Sequence, residues 1–151
     1  GTKIAFTFSD PFCVGRFREE FLHLMKEDVG ILFANEEEIK ALYEVDDFDD
    51  ALQAARAWHG IAAITRSEKG CVIAADNGEV HVLDAEKVDK VIDTTGAGDQ
   101  FAAGFLFGHA QKKNLRDCGR LGAIAAAEII SHYGARPENS LRALAAGAEL
   151  D

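Results

Sequence analysis

The chain has 151 residues, 48% of them hydrophobic, enough for one globular domain with a buried core. A formal charge of -10 and a pI near 4.9 exclude the basic surface that nucleic acid or an anionic membrane would require. Cys13, Cys71 and Cys118 are odd in number and widely spaced, which leaves neither a disulfide framework nor a Cys-x-x-Cys zinc site and predicts a reduced, cytoplasmic setting.

Gly1-Thr2 runs straight into the apolar stretch Lys3–Phe8 with no leading Met, which reads as a chain cut from a longer protein. Ile4–Phe8 is a first strand, and Ser9-Asp10-Pro11 supplies the turn that ends it. Between Val14 and Lys26, Phe17, Phe21, Leu22, Leu24 and Met25 recur near a helical spacing. Gly30–Ala34 is a second strand, and Asn35-Glu36-Glu37-Glu38 combines a capping side chain with a Glu three residues on, so the strand passes into a helix. The Asp46–Asp50 run reads as the solvated start of a further helix over Phe48–Trp58, followed by a buried strand at Ile61–Thr65.

Gly70–Ala75 and Glu79–Leu83 flank Asp76-Asn77-Gly78, a hairpin turn between two strand-like runs. Beyond a strand-like Val88–Ile92, Gly96 opens a helix with Phe101, Phe105 and Leu106 on one face, and the Ala-rich Leu115–Ile130 makes another. Strand and helix alternate, so the expected fold is α/β with a mostly parallel sheet and an inserted hairpin, in a single domain over residues 1–151.

Chemistry concentrates in Asp93-Thr94-Thr95-Gly96-Ala97-Gly98-Asp99. Gly96, Ala97 and Gly98 would let backbone amides approach a phosphate at a helix N-terminus, which forms an anion hole. A carboxylate at the mouth of such a turn is repelled by phosphate unless it accepts a proton from a nucleophile, so Asp99 is read as a general base. The competing reading makes Asp99 a plain helix cap. No Gly-x4-Gly-Lys-Ser/Thr string is present, which excludes a P-loop, and the glycine cluster comes too late for a dinucleotide fingerprint.

The seven-residue string and its continuation Gln100-Phe101-Ala102-Ala103-Gly104-Phe105 resemble the signature of ribokinase-like (PfkB family) kinases, and Ser9-Asp10-Pro11-Phe12 resembles a turn of their adenosine kinase-like members. The resemblance implies a three-layer α/β ribokinase-like, Rossmann-like domain that lacks the N-terminal lid half. Its implied activity is transfer of the terminal phosphoryl of ATP to a primary hydroxyl of a nucleoside or sugar, adenosine first, with ribose, fructose or ketodeoxygluconate-type acceptors as the alternative. A non-catalytic nucleotide-binding module is the reading from another class.

By the same resemblance, Asn35 and Glu38 organise magnesium through water, a duty compatible with a capping box. Thr65, Ser67 and Gly70 would contact the nucleotide, although many relatives carry Gly where Ser67 stands. Asp93 and Thr95, with carbonyls near Ile129, His132 and Gly134, would enclose a monovalent cation, potassium, and Glu138 departs from the Ser often found there. The implied partners are a small-molecule acceptor and, in the full-length enzyme, a second copy in a homodimer.

Overall fold

Three parallel strands lead the chain and define its most informative edge. In the computed structural model, which describes residues 3–8, 10–148 and 150, β1 (Ile4–Thr7), β2 (Val29–Asn35) and β3 (Ile61–Thr65) pair in parallel. The register places Thr7 against Phe33 and Asn35 against Thr65, so Asn35 and Thr65 are neighbours at the carboxyl end of their strands. β4 (Cys71–Ala75) and β5 (Val80–Leu83) complete a five-stranded sheet in the order β1-β2-β3-β4-β5. The expected hairpin between the last two is present, closed by Ala75 N donating to Glu79 O at 2.9 Å and Gly78 N to Ala75 O at 3.1 Å.

The chain forms two compact units, one of residues up to Arg66 with Val72–His81, the other of Ser67–Cys71 with residues from Val82 onward. In the first, α1 (Pro11–Arg16), α2 (Arg18–Glu27), α3 (Glu36–Tyr43) and α4 (Phe48–Arg56) accompany the strands. Its core gathers Phe8, Met25, Leu32, Ile39, Leu42 and Ile64, all nearly fully buried. Each such side chain contributes about 1.5–3 kcal/mol relative to exposure. Trp58 belongs to this packing and donates its indole N–H to Met25 O at 2.9 Å.

The helix expected over Val14–Lys26 is two helices. Asp10 caps the first by accepting from Cys13 N at 2.8 Å, Pro11 stands in its first turn, and the break falls at Phe17, with φ -118° and ψ 30°. The interruption brings Arg18 to the Leu42 carbonyl, which its Nε meets at 2.6 Å, a long-range bond that periodicity could not foresee. Ser9 lies outside the described residues. Asp47 accepts from Asp49 N and Asp50 N, so the acidic run does start a helix.

The second unit is built on α5 (Ala97–Ala110) and α6 (Leu115–Ile129), with α7 (Leu141–Ala146) after them. Phe101, Phe105, Leu121, Ala125 and Ile129 are buried. Glycine sets how closely the first two helices approach: a Cβ on Gly104 would fall 2.4 Å from the Leu121 carbonyl oxygen. The strand-like expectation for Val88–Ile92 is not met, since residues 84–94 contain no strand. Val91 is 52% exposed, and Ile92 N donates to Ile130 O at 2.8 Å, the carbonyl capping position of α6. β-branched residues favour a strand only when a ladder partner receives them. Among the described residues, no helix is long and apolar enough to cross a membrane.

Candidate active site

In the first unit, Asn35 ends β2 and caps α3. Its Oδ1 accepts from Glu38 N at 2.8 Å, and Glu38 Oε2 accepts from Asn35 N at 2.8 Å, a complete capping box. Glu38 is only 6% exposed, and burial, with the negative charge of Asp10 adding to it, raises its carboxyl above the ordinary 4.5 although the Asn35 amide opposes the shift. Two acidic groups are thus crowded near the carboxyl ends of the strands, and a hard cation with its own water shell would relieve them. Oxygen donors of this kind fit magnesium. Among the described residues, no cluster of three or more His, Cys, Asp or Glu side chains is placed to hold a metal.

Thr65 ends β3 beside Asn35, and the next residue, Arg66, is fixed by Glu36 at 2.8 Å and by stacking 3.7 Å over the Phe48 ring. Sequence reading gave Asp10 only a place in a turn and gave Arg66 no role, because their neighbours depend on which strand ends become adjacent. In the other unit, Ser67 adopts φ 52° and Gly70 φ 82°, with Gly70 N donating to Ser67 O at 3.1 Å. Ser67 therefore takes the left-handed conformation that a glycine adopts freely and an L side chain adopts only at a steric cost.

The turn from Asp93 to Asp99 is held by one carboxylate. Asp93 Oδ1 accepts from Thr95 Oγ1 at 2.7 Å and from Thr95 N at 2.9 Å, while Oδ2 accepts from Gly134 N at 3.0 Å. The Thr95 hydroxyl first, then the Gly134 amide, pull its carboxyl down to about 2. Both carboxylate oxygens of Asp93, one of the residues expected to enclose a monovalent cation, thus already receive donors from the chain. Gly96 follows with φ 80°, and a Cβ there would fall 2.9 Å from the Ala135 Cβ.

Of the expected anion-hole amides, that of Ala97 is engaged by Thr94 O at 3.1 Å and closes the turn. The first intrahelical bond of α5 runs from Gln100 N to Gly96 O at 2.9 Å, so the Gly98 and Asp99 amides precede it and lack intrahelical acceptors. Asp99 stands at the third helical position with an exposed side chain, and among the described residues none bonds or pairs with its carboxylate. The helix cap is Gly96, without a side-chain bond, so Asp99 is not spent on capping.

His132 is not turned outward as a ligand; its Nε2 lies 3.2 Å from Glu128 Oε1. Glu128 itself is a buried acid that sequence reading overlooked, and its signal was an acidic residue on the apolar face shared by Leu121 and Ala125. Cys71 and Cys118 are buried free thiols, and burial pushes them up to about 12 and about 11, which makes them inert packing groups.

The order of elements, parallel strands alternating with helices and then a glycine turn that opens a helix, is that of a ribokinase-like fold. The chain belongs to the pfkB family of carbohydrate kinases, whose pattern it matches over residues 1–141. It is similar to the solved adenosine kinase from Sinorhizobium meliloti, with 46% identity and a TM-score of 0.93 over 97% of this chain and 45% of that one. A probable sugar kinase from Rhizobium etli CFN 42 is as similar, at 47% identity and a TM-score of 0.93, covering 97% of this chain and 44% of that one. An uncharacterized sugar kinase of Archaeoglobus fulgidus is 41% identical over 110 residues, or 73% of this chain and 43% of the relative. The chain therefore spans less than half the length of these relatives.

Proposed function

We propose that this chain is the nucleotide-binding and base-bearing half of a cytoplasmic kinase that transfers the terminal phosphoryl of ATP to a primary hydroxyl, with adenosine as the first acceptor to test. The exposed, unengaged Asp99 carboxylate at the third position of α5, beside the Gly98 and Asp99 amides, is the observation that carries this reading. The carboxylate takes the proton of the attacking hydroxyl. The amides, at the positive end of a 14-residue helix, meet charge as it develops on the moving phosphoryl. Asp93 and Thr95 hold the turn that aims them. Asn35 and Glu38 would hold magnesium through its waters, and the ion would neutralise phosphate charge. Thr65, Ser67 and Gly70 are proposed to touch the nucleotide. No step depends on potassium.

A sugar acceptor is the second reading, favoured by the near-equal likeness to the Rhizobium etli protein. Groups that enclose the acceptor are assigned to a further half; among the described residues β1 is the last strand at one edge of the sheet. A coupled ADP-release assay on the full-length protein with adenosine, cytidine, ribose, fructose and ketodeoxygluconate separates the readings. Adenosine is expected to give the highest kcat/KM. A sugar giving the highest value would replace the nucleoside assignment, and no ADP release with any acceptor would leave the non-catalytic module.

A further inference from the structure

Glu128 has no part in the chemistry above, yet it is 7% exposed near the end of α6 and carries a dense set of bonds. One oxygen, Oε1, accepts from Asn139 N at 2.8 Å, Glu138 N at 2.9 Å and Asn139 Nδ2 at 3.2 Å, and lies 3.2 Å from His132 Nε2. The other, Oε2, is buried with no hydrogen-bond partner among the described residues. Burial pushes the carboxyl up, but the donors of Asn139, His132 and Glu138 outweigh it and hold the group below its ordinary value.

A buried carboxylate is costly unless donors compensate it, so its retention inside a helix face calls for a task. The placement of those donors supplies one. His132 belongs to the outgoing arm of the loop after α6, and Glu138 and Asn139 to the returning arm, so a single oxygen ties both arms together. Between the arms lie Gly134 and Ala135. Gly134 N holds Asp93 Oδ2 at 3.0 Å, and Ala135 packs under Gly96 so closely that a Cβ there would be 2.9 Å away.

We propose that Glu128 is a positioning residue for the anion hole: it clamps the 132–139 loop, which fixes Asp93 and Gly96 and thereby the direction of the Gly98 and Asp99 amides. This rests on the phosphoryl-transfer reading for its consequence, though not for the clamp itself. Charge alone does not suffice, because both arms are reached only from the tip of a Glu-length side chain. Glu128→Asp keeps the charge and withdraws the tip, whereas Glu128→Gln keeps an accepting oxygen at the tip without the charge.

The test uses the full-length protein with Glu128→Asp, Glu128→Gln, Glu128→Ala, Asp93→Ala and the Glu128→Asp/Asp93→Ala pair. A misplacement of catalytic groups by about 1 Å costs on the order of 100-fold, so kcat should fall about 10- to 100-fold in Glu128→Asp, with acceptor KM nearly unchanged. Glu128→Gln should stay within about fivefold of wild type, since it keeps hydrogen bonding at the tip. Because Asp93 is one of the two groups through which the clamp acts, adding Glu128→Asp to Asp93→Ala should cost less than the product of the two separate losses. Glu128→Ala is the harshest variant, and if it fails to fold, the Asp and Gln comparison decides. Turnover of folded Glu128→Asp close to wild type, or losses that multiply in the pair, overturns the proposal. Amide hydrogen exchange gives a readout independent of catalysis: Glu128→Asp should speed exchange at Gly134 and Thr95. Unchanged exchange there refutes the clamp even in a protein without kinase activity, whereas faster exchange without turnover in wild type would refute only the catalytic reading.

Discussion

Asp99→Asn is the sharpest perturbation of the proposed chemistry, because the structure separates its catalytic cost from its structural cost. The carboxylate is exposed and no described residue bonds to it, so the substitution breaks no contact. What folding loses is the attraction between a negative charge and the N-terminal dipole of α5, about 0.3–1 kcal/mol. At about 2–4 °C per kcal/mol for proteins of this size class, the melting temperature should fall by no more than about 4 °C. What catalysis loses is a general base, about 100- to 10,000-fold, or roughly 3–5 kcal/mol. ATP affinity should hold or rise, for a negative charge beside phosphate has been removed. Coupled turnover, ATP titration calorimetry and a thermal melt on one sample of the full-length protein read all three quantities. Turnover within about threefold of wild type, far short of a lost base, would refute the assignment.

Further expectations concern the groups that frame the site. Glu38→Gln keeps an accepting side chain for the capping box, so the full-length enzyme should need more magnesium at little cost in stability, and an unchanged magnesium titration would reduce the pair to a cap. Its raised carboxyl binds its proton more tightly in the folded state, so wild-type stability should fall relative to Glu38→Gln as pH rises upward from about 4.5, and parallel urea melts across that range check the sign. For Asp93 the sign is opposite: with the group lowered from 3.8 to about 2, its stabilisation is fully present above the ordinary value and lost as pH falls toward about 2. The stability gap between wild type and Asp93→Ala should therefore close over that acid window in urea melts. Gly104→Ala places a Cβ 2.4 Å from the Leu121 carbonyl oxygen and should destabilise by about 1–3 kcal/mol in denaturant melts, with no loss expected if the two helices can part freely.

Local chemistry fixed much of this protein in advance. The alternation of Gly30–Ala34, Asn35–Tyr43, Phe48–Arg56 and Ile61–Thr65 sets the strand and helix order because burial periodicity acts over one or two turns, and the capping box at Asn35 and Glu38 needs nothing beyond four consecutive residues. Asp93–Asp99 announces its turn for the same reason, since a glycine at φ 80° before a helix is a local demand. Long-range partners decided the rest. Val88–Ile92 has the composition of a strand but gains only the Ile92 bond to Ile130 O; the helix after Asp10 breaks at Phe17, where Arg18 reaches the Leu42 carbonyl; and Glu128 looks like a misplaced acid until Asn139 and His132 return to it. These features belong to tertiary structure because a hydrogen bond constrains a residue only once its partner, distant in sequence, has been brought within about 3 Å.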